Sequence, residues 1–154
     1  MQFRGYMFSK FKQGVYKPKN PQKYKGTLPI IYRSSLELRF FNWCDSNNNI
    51  ITWGSESVVI PYISPLDGRM HRYFPDNNLT IKDRTGNTYK YIVEIKPSDQ
   101  INQPIKTPRK QQRTFIREQK RFLVNNAKWE SCKKWCDNHN YKFQIITEKH
   151  VGCL

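Results

Sequence analysis

Two acids and a lysine carry the first chemical signal in this chain. Pro75-Asp76 closes one apolar run, and Glu94-Ile95-Lys96 closes a later, longer one. Strand side chains alternate faces, so Glu94 and Lys96 project together while Val93 and Ile95 take the other side. If the two strands pair, Asp76 lies beside Glu94 and Lys96. Mg²⁺ takes one or two carboxylates and completes its shell with waters and phosphate oxygens. A lysine beside it neutralises charge that develops on phosphorus. The bland alternative is a solvated ion pair on an exposed strand, which would matter little to stability.

The surrounding elements have to bring these residues together. Ser34-Ser35-Leu36-Glu37 reads as a helix start, Ser34 capping and Glu37 reaching back three residues. Leu36, Phe40, Phe41, Trp43 and Cys44 then give an apolar face that ends near Asp45–Asn49. Glu37 borders that face, so it serves either the cap or the acid cluster. From Ile50 onward the pattern is of strands: Ile50–Trp53, Ser57–Ile63, Arg69–Phe74, Leu79–Lys82 and Thr88–Ile95, with turns at Asp67-Gly68 and Asp83–Asn87. This predicts an antiparallel meander. Asn77 and Asn78 read as an interruption after Asp76, which makes Glu94 and Lys96 the firmer pair. Residues 97–112 read as a functional loop. Two helical stretches follow, 113–126 and 127–138, and Tyr141–Thr147 reads as a last strand. Gln119 falls in the Phe115/Leu123 stripe, where a buried amide needs a partner; it bonds backbone or points into a site.

Charge narrows the partners. The 154 residues, one domain's worth, hold 27 Lys and Arg against 12 Asp and Glu, a net +15. Such an excess is tolerated most readily by a chain that meets a polyanion, nucleic acid first. Residues 1–30 hold Arg4, Lys10, Lys12, Lys17, Lys19, Lys23 and Lys25 and no acid. With their Pro and Gly they read as a basic arm, solvated or ordered on DNA, ahead of a domain over 31–154. Nine Phe, nine Tyr and four Trp argue for a packed core.

No apolar run approaches the roughly 20 residues that span a bilayer, so no membrane role is expected. The N-terminus lacks the apolar core of a signal peptide, which points to a reducing cytoplasm and cysteine thiols. Neither a phosphate-cradling Gly-rich loop nor a nucleophile elbow nor a His-Glu-x-x-His pair occurs, so no nucleotide cofactor is expected. Cys132, Cys136 and His139, with His150 and Cys153, allow a zinc site at a spacing that fits no common finger. The alternative is that Cys132 and Cys136 pack with Trp129 and Trp135 as small hydrophobes.

The order of these pieces resembles the PD-(D/E)XK nuclease superfamily: a helix with Glu37, a meander, Pro75-Asp76, Glu94-Ile95-Lys96, a helix with Gln119, and a final strand. The TnsA-like branch is nearest. Tyr32–Glu37, Trp53–Glu56, Val58–Tyr62, Ser64–Asp76 and Ile92–Pro97 are similar to head-completion nucleases of tailed phages. The resemblance spans roughly residues 17–148. It implies an α/β, restriction-endonuclease-like core and a metal-dependent DNA endonuclease acting near packaged heads before tails attach. Under it, Asp76, Glu94 and Glu37 hold Mg²⁺ (with Mn²⁺ able to substitute), Lys96 stabilises the transition state, and Gln119 orients it. The expected partners are double-stranded DNA and portal or neck proteins, in the host cytoplasm during assembly or in the virion. Lys10, Lys12, Lys17, Lys19, Arg33, His71, Arg72, Lys106, Arg109, Lys110, Arg113 and Arg117 are the expected DNA contacts. A non-catalytic DNA- or portal-binding protein of the head is the competing expectation.

Overall fold

The computed structural model describes residues 13–151. In chain order the first elements are β1 (Gly14–Tyr16), β2 (Ile30–Tyr32), α1 (Ser35–Ser46), β3 (Ile50–Ser55), β4 (Ile60–Ile63) and β5 (Met70–Tyr73). They are followed by β6 (Asn77–Lys82), β7 (Thr88–Ile95), α2 (Gln112–His139), β8 (Lys142–Ile146) and α3 (Glu148–Val151). The fold is mixed α/β. Its main sheet has the order β3-β6-β7-β8, the first three antiparallel and β8 parallel to β7. The parallel pairing needs a crossover, and α2 supplies it.

The expected meander is therefore present as β3-β6-β7, with one correction. β4 and β5 do not join it; they pair only with each other, as a separate hairpin. The chain leaves β3 through Glu56, whose φ of 49° turns it out of the sheet. Pro61 in β4 has no N–H to offer a further strand.

A second correction concerns Asn77 and Asn78. They do not interrupt a strand; they begin β6, opposite Ser55 and Gly54 on one side and Val93 and Ile92 on the other. Their amides make this tolerable. Asn77 Nδ2 donates to the Gly54 carbonyl at 3.1 Å, and Asn78 Oδ1 accepts from Ser57 Oγ at 2.6 Å.

Two cores lie on opposite faces of the sheet. Phe40, Phe41 and Cys44 of α1 pack with Ile50, Trp53, Leu79, Val93 and Ile95. Trp129, Cys132 and Cys136 of α2 pack with Ile92 and with Ile60, Tyr62 and Tyr73 of the hairpin. Ile92 faces one core and Val93 the other, as strand alternation requires. The two predicted C-terminal helices are one helix of 28 residues, Gln112–His139, about 42 Å long at the usual rise. Neither Gly nor Pro occurs in it to break it at Asn126, and it stops at Asn140 in the left-handed conformation.

Much of the expected arm is folded into the domain. β1 pairs with β2, and Tyr16 is buried against Phe41 and Trp53. Buried Asp45 accepts from the backbone N–H groups of Lys19 at 2.7 Å and Asn20 at 3.0 Å. Lys23 Nζ donates to the carbonyls of Cys44, Asp45 and Asn47 at 2.9, 2.8 and 2.7 Å, which satisfies groups that a helix end leaves orphaned. Lys10 and Lys12 lie outside the described residues.

Candidate active site

Register places the acids. Asn77 is opposite Val93, so Asp76, one residue earlier, reaches the end of β7 where Glu94 stands. Asp76 Oδ2 accepts from the Ile95 N–H at 2.7 Å. Glu94 is buried on the α2 side; its Oε1 is 2.9 Å from Lys96 Nζ, and its Oε2 accepts from Tyr73 Oη at 2.5 Å. Strand alternation thus puts Glu94 and Lys96 together as expected. Glu37, from the first turn of α1, uses its Oε2 to accept from the Arg33 N–H at 2.7 Å, while Ser34 Oγ accepts from the Glu37 N–H at 3.1 Å. Ser34 caps as expected, while the Glu37 carboxylate reaches back four residues to Arg33 instead of three to Ser34. It still stands close enough to feel Lys96.

The charges perturb one another strongly. Burial, and then the Glu94 carboxylate, push Asp76 up to about 7, against the pull of Lys96. Burial also raises Glu37, with Arg33 and Lys96 pulling the other way. For Lys96, burial works to lower the pKa, but Glu94, Asp76 and Glu37 together outweigh it and hold the ammonium above its usual range. Tyr73 is driven far up by burial and by Glu94, so its phenol keeps its proton and donates it.

This donor set suits a hard divalent cation. Two carboxylates forced together are stabilised by positive charge between them, and Mg²⁺ commonly takes no more than two from a protein. Among the described residues no group of three His, Cys, Asp or Glu side chains forms a ready-made metal cage. Asp76 and Glu94 would hold the ion, with Glu37 close by. The zinc arrangement does not assemble among these residues. Cys132 and Cys136 are buried with Sγ atoms 4.0 Å apart, and His139 stacks on Trp135 and bonds its carbonyl at 2.7 Å. Cys153 lies outside the described residues.

Lys128 is the residue of α2 that stands among the charges of Glu94, Lys96 and Asp76; Gln119 is half-buried nearer the start of the helix. The buried residues of α2 are Asn125, Trp129, Cys132 and Cys136; continued backward, that stripe runs through Phe122 to the half-buried Glu118 and Gln119. Lys128 feels Glu94, Lys96 and Asp76, and its Nζ lies over the rings of Tyr62 at 5.7 Å and Tyr73 at 5.6 Å. Burial, with Lys96 adding to it, lowers its pKa. Gln119 precedes it by nine residues, two and a half turns, and so leaves the opposite face. Tyr73 and Lys128 are the residues that sequence reasoning missed. The Trp129/Cys132/Cys136 spacing was the available signal for the true inner face.

The expected DNA contacts are dispersed. Arg33 pairs with Glu56 at 2.6 Å and His71 with Asp67 at 2.8 Å. Lys106 bonds loop carbonyls, and Lys110 reaches the Ile105 carbonyl at 2.9 Å and Glu118 at 2.7 Å. Arg109, Arg113 and Arg117 stand exposed on the loop and the first turns of α2, and Arg72 on the hairpin. Lys17 and Lys19 are exposed beside Asp45, at the far end of α1 from Glu37.

An α/β sheet that ends in acids and a lysine, between a helix with a third acid and a crossover helix, is a nuclease-type arrangement. Residues 47–148 match the family TnsA-like endonuclease N terminal, and the chain belongs to it. Asp76, Glu94, Lys96 and Lys128 fall inside the matched range; Glu37 precedes it. The chain is also 37% identical over 145 residues to the head completion nuclease of Enterobacteria phage T4, covering 92% of this chain and 94% of that protein. No solved structure matches.

Proposed function

We propose that this chain is a metal-dependent DNA endonuclease that works at or near packaged phage heads before tail attachment. The observation that carries the chemistry is the convergence of Asp76, Glu94 and Lys96 at the ends of adjacent strands, with Lys96 2.9 Å from Glu94. The place in assembly is inferred from the name of the T4 relative. Mg²⁺ is the expected ion, and Mn²⁺ should substitute.

Bound there, the cation would acidify a water and offset charge on the scissile phosphate. Asp76 and Glu94 would hold it. Lys96 donates to a phosphate oxygen as a bond forms from water oxygen to phosphorus and the ester bond to the leaving oxygen breaks. Glu37 orients the attacking water. Lys128, over Tyr73, adds positive charge on the α2 side, a role that suits it better than Gln119. Arg72, Arg109, Arg113 and Arg117 grip phosphates, which positions duplex without reading sequence.

Plasmid cleavage tests this. The parent should nick or cut with Mg²⁺ or Mn²⁺ and not with EDTA. Glu94→Gln and Lys96→Ala should lose on the order of 100-fold or more in rate, the usual scale for such charge stabilisation, while still binding DNA. A Lys96→Ala protein that cuts like the parent would sink the assignment. Binding without any cleavage by the parent would favour a structural DNA- or portal-binding protein of the head.

A further inference from the structure

Beside the acids lies a cavity of about 320 Å³ walled by Tyr24, Leu28, Ile31, Ser55, Glu56 and Phe74, among others. Its volume is at the small end of ligand pockets. The backbone fixes its place. Glu56 N–H donates to the Asp76 carbonyl at 3.1 Å, prolonging the ladder that pairs Ser55 with Asn77. Paired strands are about 5 Å apart, so the cavity opens roughly one strand away from Asp76, on the side opposite Glu94.

Its lining is out of character for so basic a chain. Leu28 is 75% exposed, Phe74 44% and Ile31 41%. Phe74 stands only two residues before Asp76, with the Arg72 guanidinium 5.9 Å from its ring centre. Glu56, one of the walls, is neutralised by its ion pair with Arg33 at 2.6 Å. A planar aromatic wall, apolar neighbours and the Arg72 guanidinium beside the ring suit a nucleobase with a phosphate attached.

We propose that this cavity receives one unpaired nucleobase of DNA, on the nucleotide next to the phosphate being cut, stacked on Phe74. A base inside a duplex has its faces covered by its neighbours and cannot enter. DNA with a single-stranded tail or branch is then bound in preference to uninterrupted duplex, which is still cut. This rests on the endonuclease reading above.

The test compares three labelled oligonucleotides by fluorescence anisotropy in EDTA: a blunt duplex, the same duplex with a short unpaired tail, and one whose tail lacks bases. The parent should bind the tailed duplex about ten-fold tighter than the blunt one, the scale of one base–aromatic stack. The abasic tail should lose that advantage. Phe74→Tyr, which keeps the ring, should retain the ratio, and Phe74→Leu should bring it near one. Equal affinity for tailed and blunt duplex, or an abasic tail that binds as well as a normal one, overturns the proposal. Plasmid cleavage with Mg²⁺ separates the two readings. A protein that cuts but ignores the tail loses only the pocket, and one that prefers the tail but never cuts loses only the nuclease.

Discussion

Glu94 is held from two sides, by the Lys96 ammonium and the Tyr73 hydroxyl. A carboxylate so fixed has one orientation to offer a cation, and groups that orient ligands usually change metal affinity about 10- to 100-fold when removed. Tyr73→Phe should therefore weaken Mn²⁺ binding by that order in a titration of the protein alone. Excess metal should recover its cleavage rate. Unchanged Mn²⁺ affinity would reduce Tyr73 to core packing. Asp76 gives a second prediction, in EDTA. Its folded pKa, raised to about 7 by burial and Glu94, exceeds the unfolded value near 4. A carboxyl raised on folding stabilises fully below its unfolded pKa, and that stability fades as pH climbs through the folded one. The urea midpoint should fall between pH 5 and 8 more steeply in the parent than in Asp76→Asn. Parallel slopes would count against the strained pair. The Glu-x-Lys geometry was legible because strand alternation is local. Tyr73 was not, because its partner lies on a strand that its own strand never pairs with.

At the scale of elements, the legible parts were those whose signal lies within a few residues. The Ser34 cap, the period-two strand before Glu94 and the Asp67-Gly68 turn all reappear in the fold. What failed depended on distant partners. Asn77 and Asn78 look like strand breakers, yet their amides bond Gly54 and Ser57, which no local pattern shows. The Phe115/Leu123 stripe marks the inner face of α2 poorly, since Leu123 is half exposed while Trp129, Cys132 and Cys136 are buried. The arm was read from charge, and charge does not show that Lys23 and Asp45 complete α1. That stitching is testable. Removing three charge-assisted bonds to helix-end carbonyls in Lys23→Ala should cost about 1–2 kcal/mol, seen as a lower urea midpoint with an unchanged slope. A variant as stable as the parent would mean that water replaces the lysine without loss.

For the whole molecule, the net +15 is the property that composition shows most directly, and the fold shows how it is distributed. Arg33, His71, Lys106 and Lys110 already bond acids or carbonyls. Of the expected contacts among the described residues, that leaves Arg109, Arg113 and Arg117 on the loop and α2, Arg72 on the hairpin, and Lys17 and Lys19 near the end of α1. If the first group lines the path to the acids, each phosphate it neutralises releases counterions. The logarithm of affinity then falls against the logarithm of salt concentration with a slope of roughly 0.9 per contact. Replacing Arg113 and Arg117 together by Gln should reduce that slope by about two and weaken all duplex sequences alike. Lys17→Gln with Lys19→Gln, at the other end of α1, should reduce it much less. Equal losses from both pairs would mean that DNA wraps the domain instead of entering from the α2 side. A steep parental slope that neither pair changes would move the grip to basic residues elsewhere on the chain.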